Sequence, residues 1–224
     1  MPKFDSLQGV ILAAGLSSRM GFSKALAPPW GEGLGPSAAV QTGLAALAHG
    51  LHREGGASVV HAVVNAGVAR ILTDRPALLG PAPVRLVINS SPDLGQFHSL
   101  RLGLTAARDA GAALALVALV DILGTRGATL GGLVAAAVSD DRGKLVIAAH
   151  GGHRGHTYVV PRRLFDTFIH APTASTARDV LDGLGTESVR LEVDDAEIRI
   201  DRDSLRDLPV VDVKKPPARY RTEG

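Results

Sequence analysis

Short apolar runs alternate with stretches of helical spacing along this chain, and that alternation constrains the fold more than any other feature. "GVILAAG" (9–15), "SVVHAVVNAG" (58–67), "VRLVINSS" (84–91), "ALALVALVD" (113–121) and "KLVIAAHGG" (144–152) read as strands. Between them, "SAAVQTGLAALAHGLHREGG" (37–56), "VARILTDRPALL" (68–79, cut near Pro76), "SLRLGLTAARDAG" (99–111) and "ATLGGLVAAAVSD" (128–140) read as helices. This βαβαβαβ rhythm predicts an α/β fold: three layers, a mainly parallel sheet with helices on both faces. After residue 150 the rhythm changes. "TYVVPRRLFDTF" reads as strand then helix, "STARDVLDGLG" as helix, and "SVRLEVDD" and "EIRID" as late strands. No internal repeat or long linker divides the chain, so one domain is expected over 1–211, with 212–224 a mobile tail.

The 224 residues suffice for a sizeable core without staples, and there is no cysteine, which rules out disulfides, thiolate metal sites and a cysteine nucleophile. Neither a signal-peptide core nor an apolar run of the roughly 18–20 residues a membrane helix needs is present, so a cytoplasmic protein without a membrane partner is expected. Net charge is +2 and aromatic residues are 4% of the chain. Without a basic stripe or stacking platforms, nucleic acid is not an expected partner. Anionic small molecules are.

In an open parallel sheet, ligands bind beyond the carboxyl ends of the strands. The first strand therefore delivers Gly15 and the loop "LSSRMGFSK" to the expected site. Small residues allow close approach to phosphate oxygens, and Arg19 and Lys24 supply fixed positive charge. A P-loop is excluded: five residues separate Gly15 from Gly21, and Lys24 comes late. A dinucleotide GxGxxG is also absent after the strand. Asp121 ends a run of eight apolar residues at a strand's carboxyl edge, where a carboxylate suits either a cation or a helix cap.

"LAAGLSSRMGFSKAL" (12–26) closely resembles the LAAGxSxRMGxxKxL signature of the molybdenum-cofactor nucleotidyltransferase family, in particular its cytidylyltransferases acting on molybdopterin. The resemblance implies a glycosyltransferase A-like nucleotidyltransferase fold. It also implies a loop, Leu12, Ala13, Ala14, Gly15 and Leu16, that wraps the triphosphate, with Arg19 and Lys24 stabilising charge during transfer. "INSSPDLGQFHSLRLGL" resembles the family's base and ribose segment and points to Asn89, Gly95, Ser99 and Leu100. "LVALVDILGTRGATL" stands where the family's metal aspartate lies, implying that Asp121 holds Mg²⁺. "HGGHRGHTYVVPRRLF" resembles the acceptor side, with His156 in the family's GH position, and "IRIDRDSLRDL" faintly echoes the closing motif, which implies Asp201, or Asp203, as second metal ligand.

This chain departs from the pattern at Val120 for glycine, Leu123 and Thr157 for prolines, and Arg199 for the closing motif's first aspartate. These changes cluster on the metal and acceptor side and spare the NTP loop. The histidines of "HGGHRGH" lack zincin spacing, and the glycines predict a loop there. The implied reaction moves a nucleoside monophosphate, CMP from CTP, to a phosphorylated acceptor such as molybdopterin, with pyrophosphate released. Leu16 after LAAG, where guanylyl members tend to carry glycine, favours CTP. A sugar or polyol phosphate acceptor, or a degenerate nucleotide-binding regulator, are the alternatives.

Overall fold

The computed structural model describes residues 7–15, 23–26, 47, 59–81, 83–120 and 125–200. Within them, β1 (Leu7–Ala13), β2 (Val60–Asn65), β3 (Val84–Asn89), β4 (Leu114–Leu119), β5 (Leu145–His150), β6 (His153–Pro161) and β7 (Ser188–Glu192) form one sheet in the order β3-β2-β1-β4-β6-β5-β7. All pairings are parallel except those of β6, which runs antiparallel to β4 and β5. Every residue of β1 is buried, as expected of a central strand covered on both faces. The expected three-layer α/β sheet is therefore present, with one reversed strand.

The helices are α1 (Ala66–Asp74), α2 (Gln96–Asp109), α3 (Gly127–Ser139), α4 (Phe165–Ile169) and α5 (Ala177–Gly183). Alternate residues of β1 divide between two cores. Ile11 and Ala13 pack with Leu72 of α1 and Leu133 of α3, and Val10 and Leu12 pack with Leu104 of α2, Phe165 of α4 and Leu181 of α5. The fit against α2 is close. A Cβ on Gly103 would lie 2.4 Å from Val10 Cγ1 and 3.0 Å from Val63 Cγ2, so only glycine lets this helix settle on β1 and β2.

Two readings from the sequence are corrected. The segment "HGGHRGH" is a hairpin rather than a loop: Gly151 (φ 59°) and Gly152 (φ 76°) make a two-residue turn, and His150 and His153 face each other across it. Positive φ at both turn residues matches the twist of flanking strands, which glycine permits without strain. "EIRID" is not a strand. Residues Ala196–Arg199 form a 3-10 turn capped by Asp195, whose backbone oxygen accepts from Ile198 N. Of the helix expected over 37–56, Leu47 alone is described; it is helical and buried. The tail expected at 212–224 lies outside the described residues. Among the described residues no helix is long and apolar enough to cross a membrane.

At the sheet's amino edge, His61 is buried on β2. Gln8 Nε2 donates to Ala110 O at 3.1 Å, which turns Gln8 Oε1 toward His61 Nε2 at 2.6 Å. The imidazole therefore donates through Nε2–H, and its buried Nδ1 has no partner. Burial, and secondly the charge of Arg85, push the His61 pKa below its ordinary 6.5. The folded state thus holds this histidine neutral while the unfolded chain protonates it near 6.5, so stability is present above that pH and declines as pH falls below it. Thermal unfolding should show a Tm that drops between pH 7 and pH 5, more steeply in the wild type than in His61→Gln. Parallel curves would exclude the histidine as the source.

Candidate functional site

The carboxyl edge of the sheet gathers most of the residues singled out from the sequence. β1 ends in buried Ala13 and Ala14, followed by exposed Gly15. Among the described residues, a Cβ at Gly15 would meet nothing within 4 Å. Ala14 O accepts from Asn65 Nδ2 at 3.4 Å, and Asn65 Oδ1 accepts from Val68 N at 3.0 Å to cap α1. Asn65 was not singled out from the sequence, although an asparagine ending a strand before a helix is a cap signal. Further on, Lys24 opens a 3-10 turn that Ala25 and Leu26 anchor in the core. Leu16 and Arg19 lie outside the described residues.

The second cluster turns inward. Asn89, fully buried at the end of β3, donates from Nδ2 to Ser99 Oγ at 3.0 Å and accepts from Ser91 N at 2.8 Å through Oδ1. Gly95, at φ 86°, precedes the first turn of α2 in a conformation that favours glycine. Asn89, Ser99 and Gly95 together fix the loop 90–95 and the start of α2. Leu100 is buried, with part of its surface lining the cavity described next. Arg101 clamps α2 to the segment after α4, donating through Nη2 to the carbonyls of Ala171 and Pro172 while stacking over Phe97 at 4.8 Å.

The metal candidates Asp121 and Asp201 both lie outside the described residues. Val120 N donates to Leu12 O at 3.1 Å, extending the β1–β4 contact to the residue before Asp121. In the β4–β6 register, Val117 faces Tyr158, and continuing it sets Gly155 level with Val120. Ile198 packs on Gly155 so closely that a Cβ there would lie 2.8 Å from Ile198 O and 2.9 Å from Ile198 Cδ1. Among the described residues alone, no group of three His, Asp or Glu could hold a metal. Nearby, the buried carboxylate of Asp195 accepts from Arg126 N at 2.9 Å and Thr129 Oγ1 at 2.6 Å, which supplies the cap that α3 lacks on its own sequence.

Between these features and β7 lies a cavity of about 710 Å³. Its apolar floor includes Leu12, Leu100, Leu119, Tyr158 and Leu181, and its walls carry Arg154, Arg178, Arg190, Arg199, His153 and His156. Asp182 is the acidic side chain among the lining residues; its Oδ1 accepts from Arg154 Nη1 at 2.7 Å. Thr176 and Asp179 cap α5 reciprocally, which pulls the Asp179 pKa down through its hydrogen bonds from Thr176. Burial pushes the Tyr158 phenol up, with Arg154 opposing, so the ring stays neutral at the cavity wall. His156, in the family's GH position, is exposed at this wall, whereas Thr157 is fully buried with its hydroxyl unpartnered. No motif points to α5 and β7 as a source of arginines here, because neither element belongs to one.

Strand order and a cationic cavity at the carboxyl edge define an α/β protein suited to an anionic ligand beyond its strand ends. Residues 9–189 match the model of the MobA-like NTP transferase domain, and the chain belongs to that family. The fold is similar to that of a nucleotidyl transferase from Methanothermobacter thermautotroptrophicus, at TM-score 0.70 and 19% identity over 90% of this chain and 94% of that one. It is also similar to Rv0371c from Mycobacterium tuberculosis H37Rv, at TM-score 0.67 and 19% identity over 91% and 95%, a protein also determined in complex with manganese. The 4-diphosphocytidyl-2C-methyl-D-erythritol synthase from Anaerococcus prevotii aligns at TM-score 0.68 and 13% identity over 91% and 93%. No curated protein sequence matches significantly.

Replacing Gly155 by alanine tests how tightly the 196–199 turn is held. The new methyl would meet backbone that cannot swing away, so a loss of about 1–3 kcal/mol in unfolding free energy is expected. Urea denaturation measures it, and a variant of wild-type stability would show the turn to be loosely docked.

Proposed function

We propose that this chain is a magnesium-dependent cytidylyltransferase that moves CMP from CTP to a phosphorylated small-molecule acceptor, with molybdopterin a candidate. The observation that carries the reading is a cationic cavity at the sheet's carboxyl edge, lined by Leu12 of β1 and by Arg154, Arg178, Arg190 and Arg199, in a chain of the MobA-like NTP transferase family. An acceptor phosphate oxygen forms a new bond to the α-phosphorus while the bond from that phosphorus to the bridging oxygen breaks. The bridging oxygen keeps the electron pair and leaves with pyrophosphate. Charge builds on the phosphoryl oxygens in the transition state, so positioning and fixed positive charge do most of the work.

In this reading Leu12 to Leu16 wrap the triphosphate, and Arg19 and Lys24 donate to its oxygens. Asn89, Gly95, Ser99 and Leu100 act on the base and ribose by holding the loop 90–95 and the start of α2, since the polar atoms of Asn89 and Ser99 are engaged with their neighbours. Asp121 and Asp201 would hold magnesium, which when bound neutralises phosphate charge. His156 and the arginines beside it face the acceptor. The manganese complex of Rv0371c and the cytidyl chemistry in the name of the Anaerococcus enzyme support the choice of metal and base.

Pyrophosphate release with CTP, Mg²⁺ and candidate acceptors tests the whole reading. Lys24→Ala should slow turnover by about 10²–10³-fold with the fold intact. An unchanged rate would remove Lys24 from the transition state. Asp121→Asn should abolish the metal dependence of CTP binding in calorimetry. In direct competition, CTP should be preferred over GTP, and Leu16→Gly should narrow that preference about tenfold. Equal use of both nucleotides by the wild type would defeat the cytidylyl assignment while sparing the family's chemistry.

A further inference from the structure

The cavity is longer than the reacting groups require. It runs from Leu12 on β1 to Arg190 on β7, across β4, β6 and β5. Four strand spacings separate those backbones, about 19 Å at the usual 4.7–4.9 Å per strand. Arg190 pairs in register with Ile147, so its side chain lies on the same sheet face as Ile147, Tyr158 and Leu181. A phosphate positioned for attack beside the loop after β1 cannot also be the group that Arg190 meets.

The arginines at the far end share one acidic side chain, Asp182, among the residues that line the cavity. Among the described residues, Arg190 and Arg199 form no ion pair, and Arg154 is paired with Asp182 alone. Cations gathered within one cavity repel one another over a Debye length of about 8 Å. Such an arrangement suits a ligand that brings the missing negative charge. Between the two ends the floor is leucine and tyrosine, which suits an organic body and not a string of phosphates.

We propose that the acceptor carries a second anionic group, a carboxylate or phosphate distant from the attacking phosphate, which Arg154, Arg190 and Arg199 bind at the β6–β7 end of the cavity. This rests on the transferase reading for the identity of the near end. The distal site selects elongated acceptors charged at both ends over polyol phosphates charged at one.

Three probes of equal length isolate the distal group: hexyl phosphate, 6-phosphohexanoate and 1,6-hexanediol bisphosphate, each titrated calorimetrically into the full chain with and without CTP and Mg²⁺. At least one doubly charged probe should bind ten times or more tighter than hexyl phosphate, and the stronger of the two identifies the distal group. Arg190→Gln and Arg199→Gln, whose side chains hold no described partner, should each cut that advantage at least threefold without lowering Tm. Equal affinity for all three probes, or an advantage that survives both substitutions, would overturn the distal site. If CTP binds while the probes do not discriminate, this inference fails and the transferase reading stands. If the probes discriminate while CTP does not bind, the anion site stands and the transferase reading fails.

Discussion

The site depends on a two-residue turn. Gly151 and Gly152 reverse the chain after β5 and send β6 back between β4 and β5, antiparallel to both. Had the chain crossed over to make another parallel strand, its amino end would have lain at the opposite edge of the sheet. Reversal instead brings His153 to Tyr158 to the carboxyl edge, beside the end of β4 and the chain leading to Asp121. It also presents Gly155 as the flat surface on which the 196–199 turn docks. A hairpin of this kind requires positive φ at both central residues, and a side chain at either would be strained. One local conformational demand therefore sets which residues can face the nucleotide loop.

Much of the layering was legible because both faces of the sheet are covered. Strands buried on two sides read as continuous Val, Ile, Leu and Ala runs, and β1, β4 and β5 show it. β6 was legible as a strand, but its direction was not. Direction depends on whether the preceding link is a turn or a crossover, and the glycines of "HGGHRGH" suit a loop as well as a two-residue turn. "EIRID" has strand-like alternation, yet Ile198 satisfies it by packing once, on Gly155, within a 3-10 turn. Alternation over five residues could not separate those outcomes.

The candidate site was legible only where chemistry is local in sequence. The loop after β1 carries its own signature, whereas the cavity is assembled from β6, α5, β7 and the 196–199 turn, whose arginines are separated by many residues. The INSSPDLGQFHSLRLGL segment shows how a motif mixes roles. Asn89 and Ser99 hydrogen-bond each other in the interior, Arg101 ties α2 to the chain after α4, and Gly103 lets α2 approach β1 and β2. Four of its fixed positions thus serve to hold α2 in place, and what they offer a ligand is the precise placement of that helix's first turn and of Leu100.

The departures from the family pattern take on a physical meaning in this setting. Arg199 stands where the resembled closing motif carries an aspartate, and it lines the same cavity as Arg154 and Arg190, so this chain places a cation there. Thr157 replaces a proline at a fully buried position where β6 lies against β4; unlike proline, a threonine there keeps a backbone N–H available to a neighbouring strand. Asp195, a few residues before Arg199, secures the segment by binding the start of α3. The changes therefore leave the frame for the 196–199 turn intact while altering the charge it displays.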